Sequence, residues 1–275
     1  MDIRQILTRW RLRPTKSLGQ NFLTDPHIAE KIVDAADLTR DDVALEIGAG
    51  LGVLTVHLAQ RAGRVVAVEI DEHLLAPLSI EMERFDNVQI VQGDILECDP
   101  AALVAPAERY VVVANLPYYI TSAVLRHVLE ARVKPQRVVV TVQYEVAKRI
   151  AAGPGDMSLL AVSVQFYGRP QIMFRIKSGS FYPSPQVESA VVRIDLHPQP
   201  LLPAQEVDTF FQVVRAGFAQ RRKQLHNTLA AGLQISSEQT KERLRDAGVD
   251  PRRRAQALSL DDWLRVVQAF APLMG

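Results

Sequence analysis

The chain has 275 residues, its formal net charge is +1, and 48% of its residues are hydrophobic, which is typical of an ordinary globular protein. No apolar run reaches the roughly 18 residues of a transmembrane helix, and the N-terminus lacks the apolar core of an export signal. The single cysteine, Cys98, excludes an internal disulfide, and the scattered histidines make a metal site unlikely. We therefore expect a cytoplasmic protein without a membrane segment or a bound metal.

Short apolar runs alternate with helical patterns over the first half of the chain. The predicted strands are Val43–Ile47, Val65–Ile70, Val88–Gln92, Tyr110–Asn115 and Arg137–Gln143. The predicted helices between them are Gly52–Arg61, Glu72–Arg84 and Thr121–Arg132. This alternation indicates an α/β fold with a parallel sheet, and the nearly continuous Val and Ile runs are typical of strands buried on both faces.

The second half of the chain changes character at a proline-rich segment. Before it, Leu159–Tyr167, Gln171–Ile176 and Val187–Leu196 are predicted to be strands that pair antiparallel at one edge of the sheet. The segment 197–203 contains three prolines, which break regular structure. Beyond it the pattern is helical, and Ser259 is predicted to cap the last helix. We expect one domain over residues 1–198 and a small helical domain over 203–275.

Polar groups follow successive predicted strands. A glycine run, Gly48–Gly52, follows the first, Glu69 ends the second and Asp94 follows the third. The glycine spacing is G-x-G-x-G and therefore not that of dinucleotide binders. In open α/β sheets ligands bind at this edge, where Glu69 can accept hydrogen bonds from ribose hydroxyls and Asp94 can contact an adenine amine. Each residue alone could equally be a cap or a turn residue.

Asn115-Leu116-Pro117-Tyr118 follows the fourth predicted strand. It places an amide, a proline-stiffened backbone carbonyl and an aromatic ring at one point, which suits a flat base that carries an exocyclic amine. The amide oxygen and the carbonyl of Leu116 or Pro117 can accept the amine hydrogens, and the ring can stack on the base. The alternative is a simple proline turn with Tyr118 packed at the surface.

Basic residues are clustered in three places. The clusters are Arg4, Arg9, Arg11, Arg13 and Lys16; Arg215, Arg221, Arg222 and Lys223; and Arg252, Arg253 and Arg254. Such clusters on a nearly neutral chain are consistent with contacts to a phosphate backbone, although each alone is more often a solvated face. We predict that the run Arg221–Lys223 lies on a helix, where these residues cannot all share one face.

Five runs, in this order along the chain, resemble the ribosomal RNA adenine dimethylases, and their small-subunit branch in particular. They are Lys16–Leu23, Gly48–Gly52, Asn115–Tyr118, Phe181–Ser189 and Phe218–Asn227. The resemblance implies a class I S-adenosylmethionine-dependent methyltransferase fold, a Rossmann-like, seven-stranded and mostly parallel sheet followed by a small helical domain. It also implies methyl transfer from S-adenosylmethionine to the exocyclic N6 of two adjacent adenines in a hairpin loop near the 3' end of small-subunit (16S) ribosomal RNA, in the biogenesis of that subunit.

The resemblance assigns roles to individual positions. The cofactor-binding residues that it implies are Asn21, Leu23, Gly48, Glu69, Asp94 and Asn115. The catalytic residues that it implies are Asn115, Leu116, Pro117, Tyr118 and Phe181, of which the two aromatic residues sandwich the target adenine. RNA-binding residues are expected at Arg221, Arg222 and Lys223, and the expected partner of the monomeric protein is small-subunit ribosomal RNA or the immature subunit.

The chemistry implied is an in-line displacement in which the amine nitrogen of adenine attacks a sulfonium methyl group. Acceptors placed for the bent amine stabilise the transition state, and a strong base is not required, so Asn115 is not a base. The target base must be unstacked before it can reach the site. Three alternatives are a large-subunit RNA methyltransferase of the resistance branch, a non-catalytic RNA-binding or transcription factor on the same fold, and a nicotinamide oxidoreductase, which the glycine spacing disfavours.

Overall fold

The computed structural model describes residues 2–273, so the outermost residues of both predicted domains, Met1, Met274 and Gly275, lie outside the described residues. The chain forms two compact units. The first comprises residues up to 147 together with 169–196, and the second comprises 148–168 together with the residues from 197 onward. Within residues 2–273, no helix combines the length and the apolar character needed to cross a membrane.

The regular elements are nine strands and twelve α-helices in the part of the chain that is described. The strands are β1 (Phe22–Leu23), β2 (Val43–Ile47), β3 (Arg64–Glu69), β4 (Val88–Gln92), β5 (Val111–Asn115), β6 (Arg137–Gln143), β7 (Gly168–Ile176), β8 (Phe181–Tyr182) and β9 (Ser189–Leu196). The helices are α1 (Ile3–Arg9), α2 (Pro26–Ala35), α3 (Val53–Arg61), α4 (Glu72–Met82), α5 (Pro100–Val104), α6 (Thr121–Leu129), α7 (Tyr144–Ile150), α8 (Leu159–Tyr167), α9 (Val207–Phe218), α10 (Leu225–Leu233), α11 (Ser237–Asp246) and α12 (Leu260–Phe270).

A seven-stranded sheet in the order β4-β3-β2-β5-β6-β9-β7 forms the centre of the first unit. Strands β2 to β6 run parallel to one another, whereas β9 pairs antiparallel with β6. This confirms the predicted class I methyltransferase architecture and the predicted antiparallel pairing near one edge. The strand order reverses beside β2, because the chain adds β3 and β4 on one side of it and β5 and β6 on the other. Ligands bind at the carboxyl ends of strands at such a switch point.

The central strands form because their side chains are apolar on both faces. Val65, Val66, Val112 and Val113 are almost fully buried, as expected for parallel strands covered by helices on each side. Helices α2 and α3 pack their buried residues against one face of β2, β5 and β6. The sheet is therefore a rigid base whose strand ends can hold side chains in fixed positions.

A second, two-stranded sheet links distant parts of the first unit. Strand β1 pairs antiparallel with β8, so that Phe22 lies opposite Tyr182 and Leu23 lies opposite Phe181. Thr24 extends the pairing, since its backbone N–H and its hydroxyl both donate to the carbonyl of Ser180. This pairing fixes the N-terminal segment against the loop before β9.

The prediction of a strand over Leu159–Tyr167 is wrong, because these residues form helix α8. The hydroxyl of Ser158 caps the helix by accepting a hydrogen bond from the backbone N–H of Ala161. A short run that is apolar all round does not distinguish a buried strand from a buried helix. Here the helix packs against α9 and α12. Its residues therefore group with the second unit, although the predicted domain boundary assigns them to the first domain, residues 1–198.

Aromatic packing stabilises the helical second unit. Phe166 of α8 stacks on Phe210 of α9 with ring centroids 4.4 Å apart, and Trp263 of α12 is fully buried in the same core. The predicted cap at Ser259 is confirmed, since its side chain accepts from the N–H of Asp262 and the Asp262 carboxylate accepts from the N–H of Ser259.

Candidate active site

A pocket lies at the carboxyl ends of the central strands of the first unit. The predicted site residues that line it are Asn21, Gly48, Glu69, Asp94, Asn115, Leu116, Pro117, Tyr118 and Phe181. The structure thus brings together residues that lie far apart in the sequence. Leu23, the remaining position with an expected cofactor contact, is buried in the core beside the pocket and pairs with Phe181.

The glycine loop after β2 forms one wall of the pocket. Gly48 and Gly50 have positive φ angles of 75° and 58°, a conformation that a side chain would strain. The backbone N–H of Gly50 donates to Oε2 of Glu69 over 2.7 Å. The loop therefore presents a bare backbone surface that is joined directly to a carboxylate at the end of β3.

Glu69 is a buried carboxylate whose two oxygens each accept a backbone hydrogen bond. Oε2 accepts from Gly50 and Oε1 accepts from the N–H of Asp71 over 2.9 Å. Burial raises the pKa of Glu69, although these bonds oppose the shift. Each carboxylate oxygen has more than one lone-pair site, so Glu69 can also accept hydrogen bonds from a ligand that enters the pocket.

Asp94 and two apolar side chains form the next part of the wall. One carboxylate oxygen of Asp94 accepts from the N–H of Leu96 over 2.9 Å, so the turn role considered for this residue is real. The other oxygen forms no hydrogen bond within residues 2–273. Ile70 and Leu74 line the same part of the pocket and offer an apolar surface for a flat ring. The wall combines a bare backbone, the Glu69 carboxylate, a free carboxylate oxygen of Asp94 and apolar side chains, a combination that suits an adenosine-containing cofactor.

The Asn115 side chain has a fixed orientation. Its Nδ2 donates to the backbone carbonyl of Asn21 over 3.1 Å, so the amide group cannot rotate freely and its oxygen remains available as an acceptor. Asn21 is in turn anchored, because its own side-chain amide donates to the carbonyl of Gly19 over 3.0 Å. Asn21 therefore acts on the site in this structure through its backbone rather than through its side chain.

The two backbone carbonyls after Asn115 differ in their availability. The carbonyl of Pro117 accepts from the N–H of Ile120 over 3.2 Å and from the Thr121 hydroxyl over 3.5 Å. Among the hydrogen bonds formed by residues 2–273, none ends on the carbonyl of Leu116. Of the two alternatives that the sequence leaves open, Leu116 is thus the free acceptor beside Asn115.

Tyr118 is held by a residue to which the sequence gives no role. Its hydroxyl lies 2.8 Å from Oγ of Ser189, which is fully buried at the start of β9. Burial raises the pKa of Tyr118, so its hydroxyl stays protonated at neutral pH. Phe181 is also buried and lines the same pocket. Two aromatic side chains therefore line the same pocket as Asn115.

Gln20 and Asp71 also join the N-terminal segment to the pocket wall. Nε2 of Gln20 donates to Oδ2 of Asp71 over 2.7 Å, and Oε1 of Gln20 accepts from the N–H of Thr15 over 2.8 Å. Asp71 donates its own N–H to Glu69. Sequence reasoning missed both residues. In the sequence, only the position of Asp71 two residues after Glu69 indicates that it lies near the site.

The predicted RNA-binding residues lie in the second unit. Arg221, Arg222 and Lys223 are exposed in the turn that joins α9 to α10, so the prediction that they lie on a helix is wrong. The helix begins only at Leu225, whose N–H donates to the carbonyl of Arg253. Within residues 2–273, no carboxylate pairs with any of these three cations.

The third basic cluster differs because carboxylates pair with two of its members. Arg252 lies 3.1 Å from Asp250, and Arg253 lies 3.4 Å from Asp262. Part of its charge is therefore balanced within the second unit. The loop of Arg221–Lys223, in contrast, keeps its charge available for a partner.

The sequence profile of the family described as Ribosomal RNA adenine dimethylase matches residues 11–272. The chain belongs to this family. Its curated relatives include the Ribosomal RNA small subunit methyltransferase A of Dehalococcoides mccartyi strain BAV1, which is 44% identical over 98% of this chain and 92% of the relative. The protein of the same name from Pelotomaculum thermopropionicum is 45% identical over 98% of this chain and 95% of the relative.

Solved structures share the fold over most of the dimethylase chain. The crystal structure of the 23S rRNA methyltransferase ErmE has a TM-score of 0.75 and 27% identity, and the match covers 91% of this chain and 100% of ErmE. A dimethyladenosine transferase from Plasmodium falciparum has a TM-score of 0.78 at 24% identity, covering 91% and 98% of the two chains. The protein is therefore an S-adenosylmethionine-dependent ribosomal RNA methyltransferase, and the pocket composition fits that cofactor.

A buried acid, Glu46, lies in β2 two residues before the glycine loop of this dimethylase. Glu46 in β2 is 1% exposed, and burial raises its pKa to about 8. Interaction with Thr55 on α3 opposes this rise in pKa, and the nearby Glu69 carboxylate adds to it. Glu46 is therefore mostly neutral at pH 7. Its folded pKa lies above the unfolded value of 4.5, so the stability that it contributes at low pH is lost as the pH rises from 4.5 through about 8.

Replacing Glu46 with Gln should stabilise the protein at pH 8.5 but change its stability little at pH 5. At pH 8.5 the wild-type carboxyl ionises in a buried environment, which costs free energy. The side-chain amide of the variant stays uncharged and avoids this cost. A shift of this size makes the difference on the order of 2 to 4 kcal/mol. Urea unfolding of both proteins at the two pH values measures it.

Glu72→Gln is the matched control, because Glu72 is exposed at the start of α4 and should give the same small difference at both pH values. An effect of Glu46→Gln that does not change with pH would contradict the raised pKa.

Proposed function

We propose that the protein transfers methyl groups from S-adenosylmethionine to N6 of two adjacent adenines in a hairpin loop near the 3' end of 16S ribosomal RNA. The observation that carries this proposal is the free amide oxygen of Asn115, which opens into the same pocket as Glu69 and Asp94. The small-subunit target is supported by relatives named Ribosomal RNA small subunit methyltransferase A at about 44% identity. The proposed partner is the immature small subunit in the cytoplasm.

The cofactor is proposed to bind along the wall formed by the glycine loop, Glu69 and Asp94. S-adenosylmethionine supplies an electrophilic methyl group on a positively charged sulfur. Glu69 accepts hydrogen bonds from the ribose hydroxyls, and the free oxygen of Asp94 accepts one from the adenine amine. Gly48 contributes its bare backbone, and Asn21 and Leu23 belong to the segment that closes over the cofactor. The protein is proposed to act as a monomer.

Asn115 and Leu116 are proposed to hold the amine of the target adenine. The amide oxygen of Asn115 and the carbonyl of Leu116 each accept one amine hydrogen. Both acceptors are fixed before the substrate arrives, since Asn115 is bonded to Asn21 and Pro117 stiffens the following backbone. Fixed acceptors that fit the bent amine stabilise it more than the planar amine, which lowers the barrier to attack.

Tyr118 and Phe181 are proposed to sandwich the base. An adenine inside a helix cannot enter the pocket and must be extruded, which costs least from an unpaired loop. Stacking on the two rings offsets that cost by roughly 1–3 kcal/mol for each contact. The bond from Ser189 to the Tyr118 hydroxyl keeps that ring in place without any contribution from the substrate.

A large-subunit target is the second candidate function, since ErmE is named a 23S rRNA methyltransferase. It is less well supported, because ErmE is 27% identical to this chain whereas the relatives named for the small subunit are about 44% identical. Separate methylation assays on the two ribosomal RNAs distinguish the candidates.

Asn115→Ala should reduce methyl transfer by about 100-fold or more, because it removes one of two fixed acceptors. Binding of RNA should remain nearly unchanged. The assay incubates small subunits that lack adenine dimethylation with either protein and measures the modified nucleosides by mass spectrometry. Near-normal turnover by the variant would refute the role of Asn115. The wild-type protein serves as the control, and no modification by it would refute the proposed function.

Glu69→Gln should raise the dissociation constant of S-adenosylmethionine roughly 10- to 100-fold, because the amide nitrogen cannot accept a hydrogen bond from a ribose hydroxyl. Isothermal titration calorimetry measures this constant directly. Glu72→Gln, on the exposed surface nearby, should leave it unchanged. Equal affinity of the Glu69→Gln variant and the wild type would count against the ribose contact.

Replacing Arg221, Arg222 and Lys223 together with Ala should weaken RNA binding and make it less dependent on salt. Each lost phosphate contact lowers the slope of log K against log salt concentration by about 0.7 to 0.9. Filter binding at several salt concentrations measures this slope. The control is Arg252→Ala, because Arg252 is already paired with Asp250 and should contribute less. An unchanged slope in the triple variant would exclude these contacts.

A further inference from the structure

Tyr119 lines the pocket but has no part in the proposed chemistry. It directly follows Tyr118, yet the two side chains have opposite environments. Tyr118 is held through its hydroxyl by buried Ser189, whereas Tyr119 is 64% exposed and is the most exposed large hydrophobic side chain of residues 2–273. Because it gains little from burial, core packing does not account for it.

One edge of the exposed ring is nevertheless packed against the backbone. A Cβ atom at Gly19 would lie 3.3 Å from both Cδ1 and Cε1 of Tyr119 and 3.4 Å from Cβ of Pro117. The backbone of Gly19 therefore contacts one edge of the ring, and a side chain at position 19 would be in tight contact with it. Gly19 also has a φ angle of 59°, which favours glycine. An aromatic ring that is already ordered loses little conformational entropy when it binds a ligand.

The position of Tyr119 indicates what it binds. It belongs to the rim of the pocket into which the target base must pass, and no hydrogen bond engages its hydroxyl within residues 2–273. The neighbouring turn begins with the exposed Lys16, which has no ion pair in the described part of the chain. Gly19, which ends this turn, contacts the ring of Tyr119. An exposed aromatic ring that adjoins a turn with an unpaired cation suits single-stranded nucleic acid, where a ring stacks on a base and a cation meets a phosphate.

We propose that Tyr119 stacks on the RNA base next to the extruded adenine. Extrusion of one base removes a stacking partner from its neighbour, and the ring of Tyr119 replaces that partner at the rim of the pocket. The residue thus positions the substrate strand and favours substrates with an unpaired base beside the target. This inference rests on the proposed function for the identity of the RNA but not for the contact itself.

The test compares Tyr119→Ala and Tyr119→Phe with the wild type. Tyr119→Ala should raise the KM for RNA between about 5-fold and about 100-fold, with a smaller change in kcat at saturating RNA. Tyr119→Phe should behave like the wild type, since stacking requires the ring and not the hydroxyl. Ile80→Ala is the surface control, because Ile80 is exposed on α4 outside the pocket lining. The dissociation constant of S-adenosylmethionine should be equal in all four proteins, which also verifies that each one is folded.

A second readout tests the contact without methyl transfer. A hairpin RNA that carries 2-aminopurine beside the target adenine should lose fluorescence on binding wild type or Tyr119→Phe, since stacking on an aromatic ring quenches it. Tyr119→Ala should bind with little quenching. Equal quenching and equal KM for wild type and Tyr119→Ala would overturn the inference. A rise in the KM for RNA in Tyr119→Phe as large as in Tyr119→Ala would also overturn it. Failure of the wild type to methylate small-subunit RNA would instead refute the proposed function, while the quenching would still report on Tyr119.

Discussion

The hydrogen bond from the Asn115 amide to the Asn21 carbonyl is the interaction on which the site depends. It joins residues 94 positions apart in the sequence and connects the end of a central strand to the N-terminal segment. The bond uses the nitrogen of the amide and so leaves the oxygen for the substrate. Without it the amide could rotate and present a donor where the proposed chemistry requires an acceptor.

The same N-terminal segment is fixed at further points, which makes the cofactor wall and the base wall one assembly. Gln20 bonds to Asp71, whose backbone bonds to Glu69, and Phe22 pairs with Tyr182 beside Phe181. Both Gln20 and Asn21 of this segment are bonded to the pocket wall, Gln20 to Asp71 and Asn21 to Asn115. The proposed cofactor contact at Glu69 and the proposed acceptor at Asn115 are therefore joined through one network of hydrogen bonds.

The sequence predicted most of the sheet and the strand-end residues of the pocket from local signals, whereas Asn21 and Phe181 were expected there only from the family resemblance. Strands such as Val43–Ile47 are apolar runs followed by turn residues, and parallel strands bring their carboxyl ends to one edge. The sequence failed where the outcome depends on distant partners. Leu159–Tyr167 is helical because it packs against α9 and α12, and the link between Gln20 and Asp71 has no local pattern that announces it.

Tyr118 and Tyr119 show this limit most directly. They are adjacent and identical in sequence, so no propensity or periodicity assigns them different roles. Ser189 of β9 forms a hydrogen bond with the hydroxyl of Tyr118. Gly19 of the N-terminal segment contacts one edge of the exposed ring of Tyr119. Both partners lie on segments joined by the pairing of β1 and β8. The different environments of the two rings therefore depend on contacts with segments that are distant in the sequence, the buried hydroxyl of Ser189 for Tyr118 and the absent side chain of Gly19 for Tyr119.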